Sequence, residues 1–424
     1  PGHLGHFAGA LVPPDIYARW MRMLIGAQNV LFVCGTDDHG SVSELAALKA
    51  GIPVREFIDT IHAQQKKTMD RFSISMEAYL GTSRPDTFPV HVETAQDFLR
   101  KLHANGMLEK RTTRQWFDPG LKRFLQDRFV NGKCPNPKCT NEGAYSDQCE
   151  VCGTHYDPGE LLNPKSTLSD STPVLKDTVH WWLDMWKVSE TLRVWLQGKE
   201  KTWRPPVFNE VINTVMPSLA FSNQFEEKYK ELKTSLPAHK SKYAAGKKVQ
   251  LQFGNKADLT AAQKQLHDQG IQNEVLDGWA HRSITRDVTW GIPVPPGLDP
   301  ELEGKTLYVW PDSLIAPISF SKVALKMKGR DPAEYADFWK DPDSRVYQFL
   351  GQDNVYFYVL MQGALWAGTQ KDPSRQPVAG EYQFTDVFGC FHLQVEGEKM
   401  SKSRGNVYSG DQLLDEKGYS ADQI

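Results

Sequence analysis

After an interruption at Pro13 and Pro14, Ile16, Tyr17, Trp20, Met21 and Leu24 recur at the spacing of one helical face and predict an amphipathic helix. Val30 to Cys34 then form a short apolar run that stops at Gly35 and two aspartates, the pattern of a buried strand feeding a loop. A helix followed by such a strand predicts half of a doubly wound α/β unit, whose ligands bind beyond the carboxyl ends of strands and near helix N-termini. Asp37, Asp38 and His39 fall at such an end. Further along, "HWWLDMWKVSETLRVWL" puts Trp182, Trp186 and Leu192 near helical spacing and predicts a packing helix. Between 216 and 281, "VQLQF", a helical "DLTAAQKQLHDQG" and "NEVL" predict a small α/β insert. No run of eighteen apolar residues and no signal or lipidation motif occurs, so no membrane partner is expected and a cytoplasmic location is.

Composition narrows this picture in two places. The 424 residues are 40% hydrophobic and 24% charged, enough for two or three domains. A net charge of −3 excludes a global basic field, so any nucleic-acid contact must come from a local patch. One candidate is "KYKELKTSLPAHKSKYAAGKK", with seven lysines against one glutamate; it could bind phosphates or a carrier, or form a solvated face. Four of the six cysteines are clustered: four residues separate Cys134 from Cys139, and two separate Cys149 from Cys152. Two such knuckles suit a closed tetrahedral Zn²⁺ site of structural type. Cys34 and Cys390 lie in apolar strand-like runs and are expected in the core.

Two polar signatures stand near opposite ends of the sequence. In "HLGH", His3 and His6 would flank a helix N-terminus, with Gly5 letting the backbone approach a flat base while the imidazoles face phosphate oxygens. In "KMSKSRGN", three cations surround two serines and a glycine. That is the makeup of a mobile loop that brings Lys399 and Lys402, with Ser401 and Ser403, onto a triphosphate.

With "LFVCGTDDHG", "FLQDRFVNGKCP", "DQCEVCG", "PGELLNPKS", "RSITRDVTWGIPVP", "LYVW" and "FLGQDNVYF" in the same order, the chain resembles the class I aminoacyl-tRNA synthetases, and within them the methionyl subgroup. The resemblance covers most of the chain. It implies an α/β, Rossmann-type catalytic domain split by a connective insertion carrying a zinc knuckle. The implied division is residues 1–80 and 282–395 for the two catalytic halves and 81–205 for the insertion, with its knuckle at 130–156. A link with an extra lysine-rich insert occupies 206–281, and the loop and start of a stem-contact region occupy 396–424. The implied activity is a ligase reaction joining an amino acid to AMP, with ATP and Mg²⁺, followed by acyl transfer. Carried over by position, His3, His6, Lys399, Lys402 and Arg286 would be catalytic, and Gly5, Gly351, Asp353, Ser401 and Ser403 would contact ATP. Asp37 would hold the substrate α-ammonium.

Departures from the family pattern fall on the side-chain pocket. Where the resemblance leads one to expect "FDAPIGYIS" after "YVW", the chain has Pro311, Asp312, Ser313, Leu314, Ile315, Ala316 and Pro317. Trp310 is kept, but Gln352, Tyr358, Gln362 and Gly363 replace an expected lysine, histidine, tryptophan and proline. A pocket walled by Trp310, Tyr358 and Gln362 should disfavour an apolar thioether, because a buried amide needs hydrogen-bond partners. The expectation is therefore a synthetase-like enzyme whose amino acid is not methionine. Its acyl acceptor would be tRNA or a small amine or hydroxylamine, as in hydrazine-forming relatives, with a fused or partner domain outside this chain. A genuine methionyl-tRNA synthetase and a non-catalytic binding module are the alternatives.

Overall fold

The computed structural model describes residues 2–125, 129–145, 149, 151–152, 154, 156, 158–244, 246–395, 397–399 and 407–423. The chain divides into two compact units: Pro1–Trp182, Ser283–Trp339 and Cys390–Ile424 form the first, and Leu183–Arg282 with Lys340–Gly389 form the second.

The first unit is organised around two parallel strands, Val33–Thr36 and Ala78–Gly81, paired from Val33↔Ala78 to Thr36↔Gly81. Parallel neighbours need a crossover, and the helices Ser41–Ala50 and Val54–Arg71 supply it. The strand begins and ends later than the apolar run at 30–34 predicts, and its residues are only half-buried. Against the pair packs the long helix Val309–Met327, whose Ala316, Phe320, Val323 and Ala324 meet Ala78 and Leu80. Gly35 is required there: a Cβ would lie 2.5 Å from the Phe320 ring and 2.8 Å from the Leu80 carbonyl. The predicted amphipathic helix spans Val12–Ile25, with Pro13 and Pro14 in its first turn, where a missing N–H costs nothing. It follows without a break from the turn Leu4–His6 and a π-helical turn, Phe7–Leu11.

The connective part of this unit holds the antiparallel hairpin Leu108–Asp118 and Arg123–Leu125. A three-stranded sheet, ordered Ala144–Tyr145, Val130–Lys133, Leu162–Ser166, carries Cys134, Cys139 and Cys149 in its core with Phe129, Val130 and Leu161, while Cys152 is exposed.

The second unit contains the insert. Strand Ser218–Ser222, helix Glu226–Leu232, strands His239–Ala244 and Lys248–Phe253, helix Lys256–Asp268 and strand Asn273–Val275 follow one another as βαββαβ. Their antiparallel sheet has the second and third strands first, then the first, then the fourth, the split βαβ arrangement. Leu219, Phe221, Val249, Leu251 and Phe253 face Tyr229, Leu259, Ala262 and Leu266 in its core.

Two local expectations are corrected. The stretch read as one tryptophan-lined helix is strand to Asp184, a single turn at Met185–Val188 capped by Asp184 through the Trp186 N–H, and helix only over Ser189–Gln197. Trp182, Trp186 and Leu192 thus sit on three elements rather than one face. Cys34 and Cys390 are half-buried, not core residues.

Candidate functional site

His3 is the N-cap of the first helical turn, and the two signature histidines cap it reciprocally. The Gly5 N–H donates to His3 Nδ1 at 3.1 Å and the His3 N–H donates to His6 Nδ1 at 3.1 Å. With both Nδ1 atoms accepting, the neutral rings carry their protons on Nε2. The rings lie 3.9 Å apart. The backbone of this turn is tied to the other end of the chain: the Leu4 N–H donates to the Tyr408 carbonyl at 2.8 Å, and His3 bridges Ser409. Ser409 in turn caps the helix Gly410–Asp415, whose Asp411 and Asp415 pair with Arg71. Gly410 allows close approach to Phe7 and Phe72. Residues 407–409 immediately follow "KMSKSRGN" in sequence, so the histidine turn is tied to the segment directly after that signature. Lys402, Ser401 and Ser403 lie outside the described residues. Lys399 is placed only as part of the short strand Glu398–Lys399.

The loop after Val33–Thr36 presents Asp37 and Asp38, and the Val309–Met327 helix adds Asp312 close by. Asp38 is buried and clamped: its carboxylate accepts from the Ser83 N–H (2.9 Å) and hydroxyl (2.8 Å), its N–H donates to Thr82 Oγ1, and its carbonyl accepts from the Trp290 indole at 2.8 Å. Gly81 makes this possible, because a Cβ would stand 2.6 Å from the Asp38 carboxylate. His39, 3% exposed, bonds through Nδ1 to Asp312 at 2.6 Å; the other Asp312 oxygen meets His91 Nε2 at 2.5 Å, and His91 Nδ1 meets Ser319 Oγ at 2.9 Å. Burial alone would raise the Asp312 carboxyl, but the combined pull of His39 and His91 holds it well below the usual carboxylate range. Asp37 is reached by solvent and has no such side-chain partner among the described residues. The protein around it and the charges of Asp312 and Asp38 push its carboxyl well above its ordinary value, against one hydrogen bond from the His39 backbone N–H. A carboxylate crowded by two others is relieved by a bound cation. Sequence reasoning singled out Asp37 but missed His39, His91 and Asp312 as a group.

Arg286 is also held. Its guanidinium lies 3.6 Å over the Tyr308 ring and donates to Ser283 Oγ and the Thr285 carbonyl, both at 2.8 Å. Next to it in sequence, Asp287 is bound by Lys305, Thr178 and His180. Although burial opposes it, these partners bring its carboxyl down to about 2. Trp310 is half-buried in the first turn of the Val309–Met327 helix.

In the second unit, Gly351 ends the strand Tyr347–Gly351 and Asp353 is exposed in the turn after it. Tyr358 lies in a π-helical turn, Phe357–Met361, a geometry common at functional sites. Gln362 is 1% exposed and already satisfied: its Oε1 accepts from Gln348 Nε2 at 2.7 Å and from the Thr385 hydroxyl at 3.2 Å.

The four clustered cysteines bring their sulfurs within 4.8 Å of one another. Cys134 and Cys152 are 3.8 Å apart and Cys139 and Cys149 3.7 Å. A tetrahedron with metal–sulfur bonds of ~2.3 Å has edges of about 3.8 Å; these two pairs already match that edge, so the donor set fits a zinc ion. Asn141 Nδ2 approaches Cys149 Sγ at 3.3 Å, a hydrogen bond that would orient and stabilise a thiolate.

Comparison with known proteins agrees with this anatomy. The family described as tRNA synthetases class I (M) matches residues 1–226 and 245–424, passing over 227–244 in the insert. The methionine–tRNA ligase of Bacteroides fragilis (strain YCH46) is 34% identical over 405 residues, 95% of this chain and 47% of the relative. That of Chlorobium limicola is 35% identical over 415 residues, 97% of this chain and 49% of the relative. The chain thus spans about half the length of the curated relatives it matches. The crystal structure of Mycobacterium tuberculosis methionyl-tRNA synthetase bound by methionyl-adenylate superposes with a TM-score of 0.57 at 17% identity, covering 99% of this chain and 60% of that one, a likeness of fold. With its histidine turn tied to the segment beyond "KMSKSRGN", its cysteine knuckle and a match along nearly its whole length, the chain belongs to the class I (M) family of tRNA synthetases.

Proposed function

We propose that this chain forms an aminoacyl-adenylate from an amino acid and ATP with Mg²⁺, and transfers the acyl group to an acceptor. The observation that carries this is the backbone tie between Leu4 and Tyr408, which sets the histidine turn beside the segment that follows the lysine signature in sequence. In this reading His3 and His6 donate from Nε2 to phosphate oxygens, joined by Lys399 and Lys402 as negative charge moves to pyrophosphate. Gly351 and Asp353 receive the ribose, and Ser401, Ser403 and Gly5 complete the nucleotide contacts. Asp37 takes the α-ammonium, the cation its crowded carboxylate calls for, and Arg286, fixed on Tyr308, supplies positive charge. A carboxylate is already nucleophilic, so alignment and electrostatics carry the rate without a general base. Zn²⁺ on Cys134, Cys139, Cys149 and Cys152 would close the connective fold and stand apart from the chemistry.

The activated amino acid, in this proposal, is not methionine. Trp310 is kept, but Tyr358 and Gln362 stand where a histidine and a tryptophan are expected, and the amide of Gln362 is committed to Gln348 and Thr385. The change therefore reshapes the core that supports the pocket and does not offer a new polar contact. A second reading, activation of methionine, is favoured by the relatives, which are named methionine–tRNA ligases. ATP–pyrophosphate exchange over a panel of amino acids separates the two: exchange with methionine alone overturns the first, and exchange with none overturns adenylation itself. Transfer to tRNA, against transfer to a small amine or hydroxylamine, then identifies the acceptor.

A further inference from the structure

Arg282, exposed at the middle of the short strand His281–Ser283, has no part in the adenylation scheme above. It is nonetheless held in place. Its Nε–H donates to the Tyr356 hydroxyl at 2.9 Å, and its guanidinium lies 5.1 Å from the centre of the Tyr356 ring. That hydroxyl donates in turn to the Trp279 carbonyl. The half-buried tyrosine is thus satisfied as a donor without the arginine, and packing does not call for a cation there. Among the described residues Arg282 makes no ion pair and no second hydrogen bond, which leaves the two terminal nitrogens of its fork unused.

Tyr356 decides where this fork stands. It follows the turn Gln352–Asn354 through Val355 in one helical run, and a spacing of three sets it beside Asp353 on the same face. Arg282, Tyr356 and this turn all belong to the second unit. From Gly351 to Tyr358 the sequence "GQDNVYFY" carries a single charged side chain, Asp353. A triphosphate brought to this turn therefore meets an anion, and no cation from the turn itself.

We propose that Arg282 is a phosphate-binding residue of the nucleotide site and that Tyr356 is the residue that positions it. The proposal rests on the reading of Gly351 and Asp353 as nucleotide contacts. A planar fork matches two phosphate oxygens at once. Stacking on Tyr356 fixes the fork before the ligand arrives, so less side-chain freedom is lost on binding than for an arginine loose in solvent. Its charge also offsets the repulsion between Asp353 and the phosphates.

The test is isothermal titration calorimetry of the full chain with MgATP and, by displacement, with adenosine, repeated over a potassium chloride series. Arg282→Gln should weaken MgATP about tenfold or more and leave adenosine within about twofold of the parent. Arg282→Lys keeps the charge without the fork and should lose less. Tyr356→Phe removes the anchor but not the cation, so its loss for MgATP should fall between the parent and Arg282→Gln, with adenosine unaffected. The gap between parent and Arg282→Gln should narrow as salt rises. A parent that binds MgATP and an Arg282→Gln variant that binds it equally well would overturn the proposal and leave the adenylation reading standing. Equal loss for MgATP and adenosine would make Arg282 a support of the fold and overturn it too. A parent that binds neither ligand would overturn the nucleotide reading of this turn, and the proposal with it.

Discussion

Replacing Asp312 with alanine should damage the first unit far more than replacing it with asparagine. Asp312 is fully buried, and its two carboxylate oxygens are taken by His39 Nδ1 at 2.6 Å and His91 Nε2 at 2.5 Å, with His39 3% and His91 0% exposed. Alanine strands two buried imidazole nitrogens, each worth about 1–3 kcal/mol when left without a partner. Breaking one side of a buried charge-bearing pair costs about 3–5 kcal/mol, and the two estimates describe one event. A loss of about 4 kcal/mol is therefore expected. Asparagine keeps the shape, accepts from one imidazole and donates to the other after a change of tautomer, so it should cost only about 1–2 kcal/mol. His91 can make that change because Ser319 Oγ, on its far nitrogen, either donates or accepts. Urea unfolding read by tryptophan fluorescence, with Trp290 lying 5.3 Å from the His39 ring, gives the difference in midpoint for the transition of this unit. A cost below about 1 kcal/mol for alanine, or asparagine as costly as alanine, would refute the argument that the carboxylate is held by both rings.

Other expectations follow from the same geometry. Lys402→Ala should lower pyrophosphate exchange by about a hundredfold or more with melting unchanged; equal loss of melting temperature would mark a structural lysine. Cys149→Ser, or chelation, should release one Zn²⁺ per chain by metal analysis and loosen the connective sheets; a metal-free protein with unchanged melting would remove the zinc assignment. Asp287 has a lowered folded-state value of about 2, so its stabilisation is present above the unfolded value and lost as pH falls from about 4 towards 2. Asp287→Asn should flatten the acid limb of a stability–pH profile in that window, by at most about 2 kcal/mol, and an unchanged limb would count against the Lys305, Thr178 and His180 contacts as its cause.

What could be read beforehand was local arrangement written in short stretches. His3 and His6 stand three apart and cap one turn, and the cysteines come as two close pairs whose geometry local hairpins can supply. Asp37 announced itself by ending an apolar run. What could not be read was assembled from distant positions. His39, His91, Asp312 and Ser319 come from a loop and two helices, and none carries a local signal. The tryptophans at 182 and 186 misled because a strand leading into a tight turn can imitate helical spacing over a few residues. Gln362 was correctly judged to need partners, but Gln348 and Thr385, both remote in sequence, decide that the amide faces the core.

The tie between Leu4 and Tyr408 also sets a clock. A ribosome adding roughly 5–20 residues per second needs about 20–80 s to pass from one partner to the other. Throughout that interval the emerging histidine turn has no Tyr408 carbonyl to receive its N–H, although the neighbouring strands and crossover helices can already form. A nascent chain stalled before residue 408 should therefore present a folded body whose histidine turn still lacks its Tyr408 partner.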